Sequence, residues 1–133
     1  IFIFDTNVLI SACLKPDSTP AKALLHAQTI GKIAFSELTL FELKDVLNRP
    51  FFRKYLKKGQ YDLILSTITD NCILTKTHPD LSIKCQDESD IKFLELAVTV
   101  MADCIISGDK DLLIIHPFEG IPILTANTFL KTF

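Results

Sequence analysis

The chain alternates between short apolar runs and longer stretches with helical periodicity. The apolar runs predict strands at residues 1–5, 33–35, 73–76, 104–106 and near 121–124. Helices are predicted at 19–31, 37–48, 61–71 and 90–102, with a helix or turn at 8–13 and a helix at the end of the chain. The polar segment 77–89 is predicted to be a loop. Strands separated by helices favour an α/β protein with a mainly parallel sheet and helices on both faces.

Local signals support several of these boundaries. Pro20 suits the first turn of a helix, and Gly31 suits its end. Ser36 is predicted to cap the next helix, which ends before Pro50. Thr39 stands where a capping box carries an acid, so only the serine cap is predicted. With no repeat, low-complexity stretch or linker, residues 1–133 are expected to form one domain.

Acids follow two of the predicted strands directly. Asp5 ends the apolar run at 1–4, and Asp109 comes shortly after the strand at 104–106. Ligands of open α/β sheets bind in the crevice outside the carboxyl ends of parallel strands. The two acids therefore predict a shared acidic cleft at that edge.

Two helical acids also interrupt or head apolar rows. Glu42 lies one turn from Leu38 and Val46 on either side. An unpaired buried charge costs several kcal/mol, so Glu42 needs a cation or a polar cleft. Asp90 heads the predicted inner stripe of its helix, which consists of Phe93, Leu94, Ala97, Val98 and Met101. A simple helix-dipole contribution of about 0.3–1 kcal/mol also accounts for Asp90.

Four carboxylates converging at one sheet edge would repel one another and raise their pKa values unless a cation is present. The four are Asp5, Glu42, Asp90 and Asp109. Oxygen ligands without His or Cys favour Mg²⁺ or Mn²⁺. Such an ion suits phosphodiester hydrolysis, because it activates water and stabilises a leaving oxygen.

Composition narrows the class of protein. The chain has 133 residues with 48% hydrophobic residues and a formal net charge of −2, and no apolar run exceeds four residues. A membrane span needs roughly 20 apolar residues, so a cytoplasmic protein without a membrane segment is expected. The four cysteines and three histidines lack metal-ligand spacing, which argues against zinc. Because the first residue is Ile, we expect a short N-terminal piece to be missing. A mean hydropathy of +0.31 favours a buried interface such as that of a homodimer.

A basic segment occupies the middle of the chain, where no acid occurs between Asp45 and Asp62. It carries Arg49, Arg53, Lys54, Lys57 and Lys58 among Phe51, Phe52 and Tyr55. Basic side chains mixed with aromatic rings suit a phosphate backbone and stacked bases. The alternative is a solvated helix face or connector with Phe51 and Phe52 facing the core. Asp45 is explained by a surface pair with Arg49.

Four sequence blocks resemble, in family order, the PIN-domain ribonucleases. The likeness is strongest to the bacterial and archaeal group described as toxins of toxin–antitoxin systems. The blocks are Asp5–Ser11, Glu42–Pro50, Asp90 with Lys92–Ala97, and Ser107–Leu113. The resemblance implies an α/β/α sandwich and metal-dependent endonuclease activity on single-stranded RNA. It also implies an antitoxin protein as a partner.

The resemblance also implies roles for individual residues. It assigns the metal-binding catalytic acids to Asp5, Glu42, Asp90 and Asp109, and supporting roles to Asn7 and Ser107. Asp111 matches the pattern too, as a metal ligand or as a brace for its loop. The segment Cys85–Asp90 departs from the usual family pattern, which leaves Asp87 as a rival to Asp90. Asp90 is preferred because it heads the apolar stripe of its helix.

Two other functions remain as alternatives. Haloacid-dehalogenase phosphatases also use an acid after the first strand, but they need a second Asp where this chain has Asn7. A PIN-like domain that binds RNA or a partner without cutting is the second alternative. The presence of all four acids favours the nuclease.

Overall fold

The computed structural model describes residues 1–57, 59–80 and 82–133. The strands are β1 (Phe2–Phe4), β2 (Ala34–Ser36), β3 (Ile73–Thr75), β4 (Cys104–Ile106) and β5 (Ile123–Leu124). The helices are α1 (Thr6–Leu14), α2 (Thr19–Ile30), α3 (Glu37–Leu47), α4 (Pro50–Arg53), α5 (Gln60–Ile68), α6 (Ile91–Val100), α7 (Lys110–Leu113) and α8 (Ala126–Thr132). A 3₁₀ turn at Glu88–Asp90 leads into α6. The alternation of strands and helices agrees with the predicted α/β class.

The strands form a central sheet in which every named pairing is parallel. β4 lies between β1 and β5, and β2 pairs with β3. A parallel bridge between Phe2 and Ile33 connects β1 to the start of the β2 region. Phe4 lies opposite Ile106, so the residues that follow these two strands emerge side by side. The predicted parallel sheet is confirmed.

Helices cover both faces of this sheet, as alternate residues of β1 show. Phe2 and Phe4 belong to one hydrophobic cluster, together with Leu43 and Phe129. Ile3 belongs to a second cluster, which contains Phe93, Leu96, Ile105 and Leu112 among others. Successive strand side chains point to opposite faces, so a strand that is apolar throughout is buried from both sides. The apolar start of the chain is thus explained by a layered α/β/α arrangement.

The serine cap of α3 is part of a full capping box. Ser36 Oγ accepts a hydrogen bond from Thr39 N at 3.1 Å, and Thr39 Oγ1 accepts one from Ser36 N at 2.9 Å. The prediction of a serine cap alone was wrong, because a threonine hydroxyl accepts the reciprocal bond as a carboxylate would. Gly31 follows α2 as predicted, and a Cβ there would come within 3.0 Å of the Phe2 ring.

Other boundaries differ from the predictions. Pro50 opens the short helix α4 instead of only following α3. α5 ends at Ile68, before the predicted Asn71, and α7 was not predicted. In the buried stripe of α6, Leu96 takes a place that the periodicity gave to Val98 and Met101, which are 37% and 83% exposed. Among the described helices, none has the length and apolar content needed to cross a membrane.

Candidate active site

Asp5 is held at the end of β1 by groups from two neighbouring loops. Its side chain is buried, and its backbone N–H continues the sheet by donating to Ile106 O at 2.9 Å. Ser107 Oγ donates to Asp5 Oδ2 at 2.8 Å, and Asn7 N donates to Oδ1 at 3.4 Å. Burial raises the pKa of Asp5; these hydrogen bonds oppose the shift, and the charges of Asp109 and Glu42 add to it. Asn7 therefore supports the acid through its main chain, while its side chain is exposed.

Asp109 is tied to the same network after β4. Its backbone N–H donates to Ser107 Oγ at 3.0 Å, so the Ser107 hydroxyl links the loops that carry Asp5 and Asp109. Asp109 Oδ1 accepts a hydrogen bond from Asp111 N at 2.9 Å and caps α7. This Asp109 carboxylate is positioned by a turn that the sequence Ser107–Asp111 forms locally.

Glu42 lies on α3 with a cation and a hydroxyl on its two oxygens. Lys92 Nζ lies 3.1 Å from Glu42 Oε1, and Thr6 Oγ1 donates to Oε2. The Glu42 and Lys92 side chains are 30% and 15% exposed, so the pair is largely shielded from water. The neighbour Leu38 is 54% exposed, so the row containing Glu42 is buried on one side only. The requirement for a cation was nevertheless a sound inference from the sequence.

The sequence reasoning did not assign Thr6 or Lys92 to the site. Both residues stand inside the sequence blocks described above, Thr6 directly after Asp5 and Lys92 two residues after Asp90. The signal was the charge requirement at Glu42, which predicted a cation without naming it. Lys92 was beyond reach because its partner is 50 positions away and the α3–α6 contact is tertiary.

Asp90 is a buried carboxylate that lacks a full set of partners. It is 5% exposed, and its Oδ2 atom has no hydrogen-bond partner within the part of the chain that the structure describes. Burial is the main cause that raises its pKa to about 7, followed by contact with the Asp109 side chain and the charges of Asp109, Asp5 and Asp87. A buried acceptor without a donor is costly unless a cation or donor binds there.

Asp90 also belongs to a compact group of four aspartates. Asp87, Asp90, Asp109 and Asp111 each offer one carboxylate oxygen, and these oxygens all lie within 4.8 Å of one another. Asp87 is exposed and accepts hydrogen bonds from Ser89 N at 3.0 Å and Ser89 Oγ at 2.7 Å, which lower its pKa. The choice between Asp87 and Asp90 is thereby changed, because both lie in the group. A set of hard oxygen donors with one unpartnered buried oxygen fits Mg²⁺ or Mn²⁺.

A polar cavity of about 230 Å³ brings the predicted acids together. Its lining includes Asp5, Glu42, Asp90 and Asp109, along with Asn7, Asp87 and Arg49. A second cavity of about 350 Å³ shares Asp5, Asn7 and Asp109 with it and extends to Ser11 on α1. Asp5 and Glu42 thus lie on the wall of the cavity but outside the compact group of four aspartates.

The basic segment lies beside this cavity and is mostly exposed. Arg49 Nη2 lies 3.3 Å from Asp45 Oδ2, the predicted surface pair, and Arg49 also lines the polar cavity. Phe51 is 61% exposed, so the proposal that both phenylalanines face the core is wrong for Phe51. Phe52 is half-buried and packs against the core. Arg53, Lys54 and Lys57 are exposed, and Lys58 lies outside the described residues.

Comparison with known proteins agrees with this arrangement. An uncharacterized protein of Methanocaldococcus jannaschii is 33% identical over 114 residues, which cover 84% of this chain and 72% of that protein. The model of the PIN domain family matches residues 2–111. PIN domains are generally nucleases and usually use divalent metal ions. This family replaces the phosphatase alternative. The chain belongs to the PIN domain family.

Proposed function

We propose that this protein is a metal-dependent endoribonuclease that hydrolyses phosphodiester bonds of single-stranded RNA. The observation that carries the proposal is the unpartnered Asp90 Oδ2, which is buried within a group of four aspartates. That group borders the cavity that Asp5 and Glu42 also line. A domain that only bound RNA would gain nothing from gathering so much repelling charge, which is costly without a cation.

Asp90 and Asp109 are proposed as the principal metal ligands, because they belong both to the compact aspartate group and to the polar cavity. Asp87 and Asp111 complete the group on one side, and Asp5 and Glu42 complete the cavity wall on the other. A Mg²⁺ or Mn²⁺ ion held there lowers the pKa of a bound water and stabilises negative charge on the leaving oxygen. The ligand set explains why the protein keeps an acid whose pKa is raised to about 7.

The other side chains of the cavity orient the acids and receive the substrate. Ser107 fixes one oxygen of Asp5, which leaves that carboxylate in a defined position to orient the attacking water. Lys92 neutralises Glu42 and reduces the net negative charge that a phosphate would meet. Arg49 offers a guanidinium at the cavity wall for the same phosphate. Arg53, Lys54 and Lys57 continue the positive surface along the RNA backbone.

The biological role is the finer part of the proposal. The four sequence blocks shared with toxin ribonucleases support a toxin of a toxin–antitoxin pair, which acts in the cytoplasm as a homodimer and is inhibited by an antitoxin protein. Residues 1–133 would act as its single nuclease domain. Expression of the chain with and without the product of the adjacent gene, followed by measurement of growth and cleaved RNA, tests this role.

The chemistry is tested with a labelled single-stranded RNA oligonucleotide, in Mg²⁺ or Mn²⁺ and in excess EDTA. We expect cleavage only with the metal ion, and a loss of about 100-fold or more in Asp5→Asn, Asp90→Asn and Asp109→Asn. Asp70→Asn is the matched control, because Asp70 is an exposed aspartate outside the cavity. RNA that is bound but left uncut by the wild-type protein would instead support the non-catalytic alternative.

A further inference from the structure

We infer that a groove beside α4 binds one base of the single-stranded RNA a few nucleotides from the scissile phosphate. The inference rests on the proposed function and adds a base-binding subsite to it. The groove has a volume of about 410 Å³, and its lining includes Cys13, Leu14, Phe51, Tyr55, Leu56 and Gln60. None of these residues belongs to the acidic cavity.

The groove offers two aromatic rings to a ligand. Phe51 and Tyr55 are 61% and 63% exposed, and their ring centres lie 5.3 Å apart at 60°. Phe51 also contacts the ring of Phe52 at 5.1 Å, and Phe52 packs against the core. The exposed rings are therefore mounted on a buried one. Exposed aromatic rings in a groove are the usual platform on which the bases of single strands stack.

Charge complementarity selects the occupant. The segment between Asp45 and Asp62 contains no acid, and the exposed Arg53, Lys54 and Lys57 lie in the same stretch as the two aromatic rings. A nucleic acid strand supplies both an anionic backbone for the bases of the rim and planar rings for the groove. An acidic protein segment would satisfy the positive rim only.

Helix α1 connects the groove to the acidic cavities. Asn7 and Ser11 line the cavity that contains Asp5 and Asp109, while Cys13 and Leu14 line the groove. With a rise of 1.5 Å per residue, Asn7 and Leu14 are separated by roughly 10 Å along α1. Arg49 lines the acidic cavity and immediately precedes α4. A strand with one phosphate at the acids therefore reaches the groove within a few nucleotides.

The experiment measures binding of a single-stranded RNA oligonucleotide by fluorescence anisotropy in EDTA, where no cleavage interferes. We expect Phe51→Ala and Tyr55→Ala to raise Kd about tenfold, as the loss of one stacked base does, and Tyr55→Phe to restore the affinity. Phe41→Ala is the matched control, because Phe41 is 70% exposed on α3 and is not among the lining residues of the groove. Circular dichroism and thermal melting check that each variant folds.

A second measurement locates the base. Substrates that carry one abasic nucleotide at successive distances from the cleavage site are cut with the metal ion present. We expect KM of the wild-type protein to rise at one position only, and KM of Tyr55→Ala to be insensitive to that position. If both alanine variants bind and cut like the wild type while Asp90→Asn is inactive, the groove inference is overturned and the nuclease stands. If the wild type neither binds nor cuts RNA, the proposed function fails and the inference fails with it.

Discussion

The acidic cavity and the basic segment lie beside each other but hold their charges in opposite ways. The acids come from distant parts of the chain, between Asp5 and Asp111, and two of them are buried. The bases come from one short stretch, and Arg53, Lys54 and Lys57 are exposed. Exposed bases cost the fold little, whereas buried acids of one sign oppose it. The difference teaches that the cavity is expected to trade stability for chemistry, and the basic segment is not.

The largest expected effect tests the basic half of the comparison. Changing Arg53, Lys54 and Lys57 together to Glu should raise Kd for single-stranded RNA roughly 100-fold or more at low salt, because three phosphate contacts are replaced by repulsion. The slope of log K against log salt should fall in magnitude by about one for each side chain lost. Thermal stability should change little, since all three side chains are exposed.

The matched control for this charge reversal uses exposed lysines elsewhere on the surface. Lys15→Glu with Lys22→Glu changes the net charge in the same direction outside the basic segment. Filter binding at several salt concentrations compares the two variants. An unchanged salt slope in the Arg53, Lys54 and Lys57 variant would return the basic segment to a merely solvated surface.

The second effect tests the acidic half. A divalent ion that binds the native protein at about 100 times its Kd should stabilise it by roughly 2.7 kcal/mol. Thermal melts in EDTA and in a titration of Mg²⁺ or Mn²⁺ measure this gain. Asp109→Asn should lose the gain, because Asp109 belongs to both the compact aspartate group and the polar cavity, while Asp70→Asn should keep it. The absence of any shift in the wild-type protein would count against a metal site.

Parts of the fold were predictable because they depend on local pattern. The apolar runs before Asp5 and Ser107 identified two strands that are buried on both faces, and these strands fixed the edge at which the acids meet. The short helices α4 and α7 were missed because four residues give too little periodicity to detect. Pro50 also carries two meanings, since proline both ends one helix and suits the first position of another.

The candidate site divides in the same way. Asp5 and Asp109 were accessible from the sequence because each follows its own strand. The ion pair between Glu42 and Lys92 was not, because it depends on how α3 packs against α6. The grouping of Asp87 with Asp111 was likewise hidden, because it depends on how two loops approach each other. Sequence patterns therefore gave the edge of the sheet, and tertiary packing decided which charges meet there.

The smallest expected effect is the pH dependence of the metal-free protein, and it has a definite sign. The pKa of Asp90 is raised from 3.8 to about 7 in the folded state, so between these values the native protein holds a proton that the unfolded chain has lost. Stability should therefore fall as pH rises from about 4 to about 7. Asp5, whose pKa is also raised, adds in the same direction. The lowered pKa of Asp87 acts only below about pH 4, outside this window.

Thermal melts in EDTA between pH 5 and pH 8 measure this slope. We expect a loss of about 1–2 kcal/mol over the range, after discounting the raised pKa for solvent screening. Asp90→Asn should flatten the slope and raise stability at pH 8, while Asp70→Asn should leave the slope as it is. Saturating Mn²⁺ should reverse the trend, because metal binding favours the deprotonated carboxylates. A metal-free protein that gains stability from pH 5 to pH 8 would show that the acidic cavity carries no such cost, and the contrast with the basic segment would disappear.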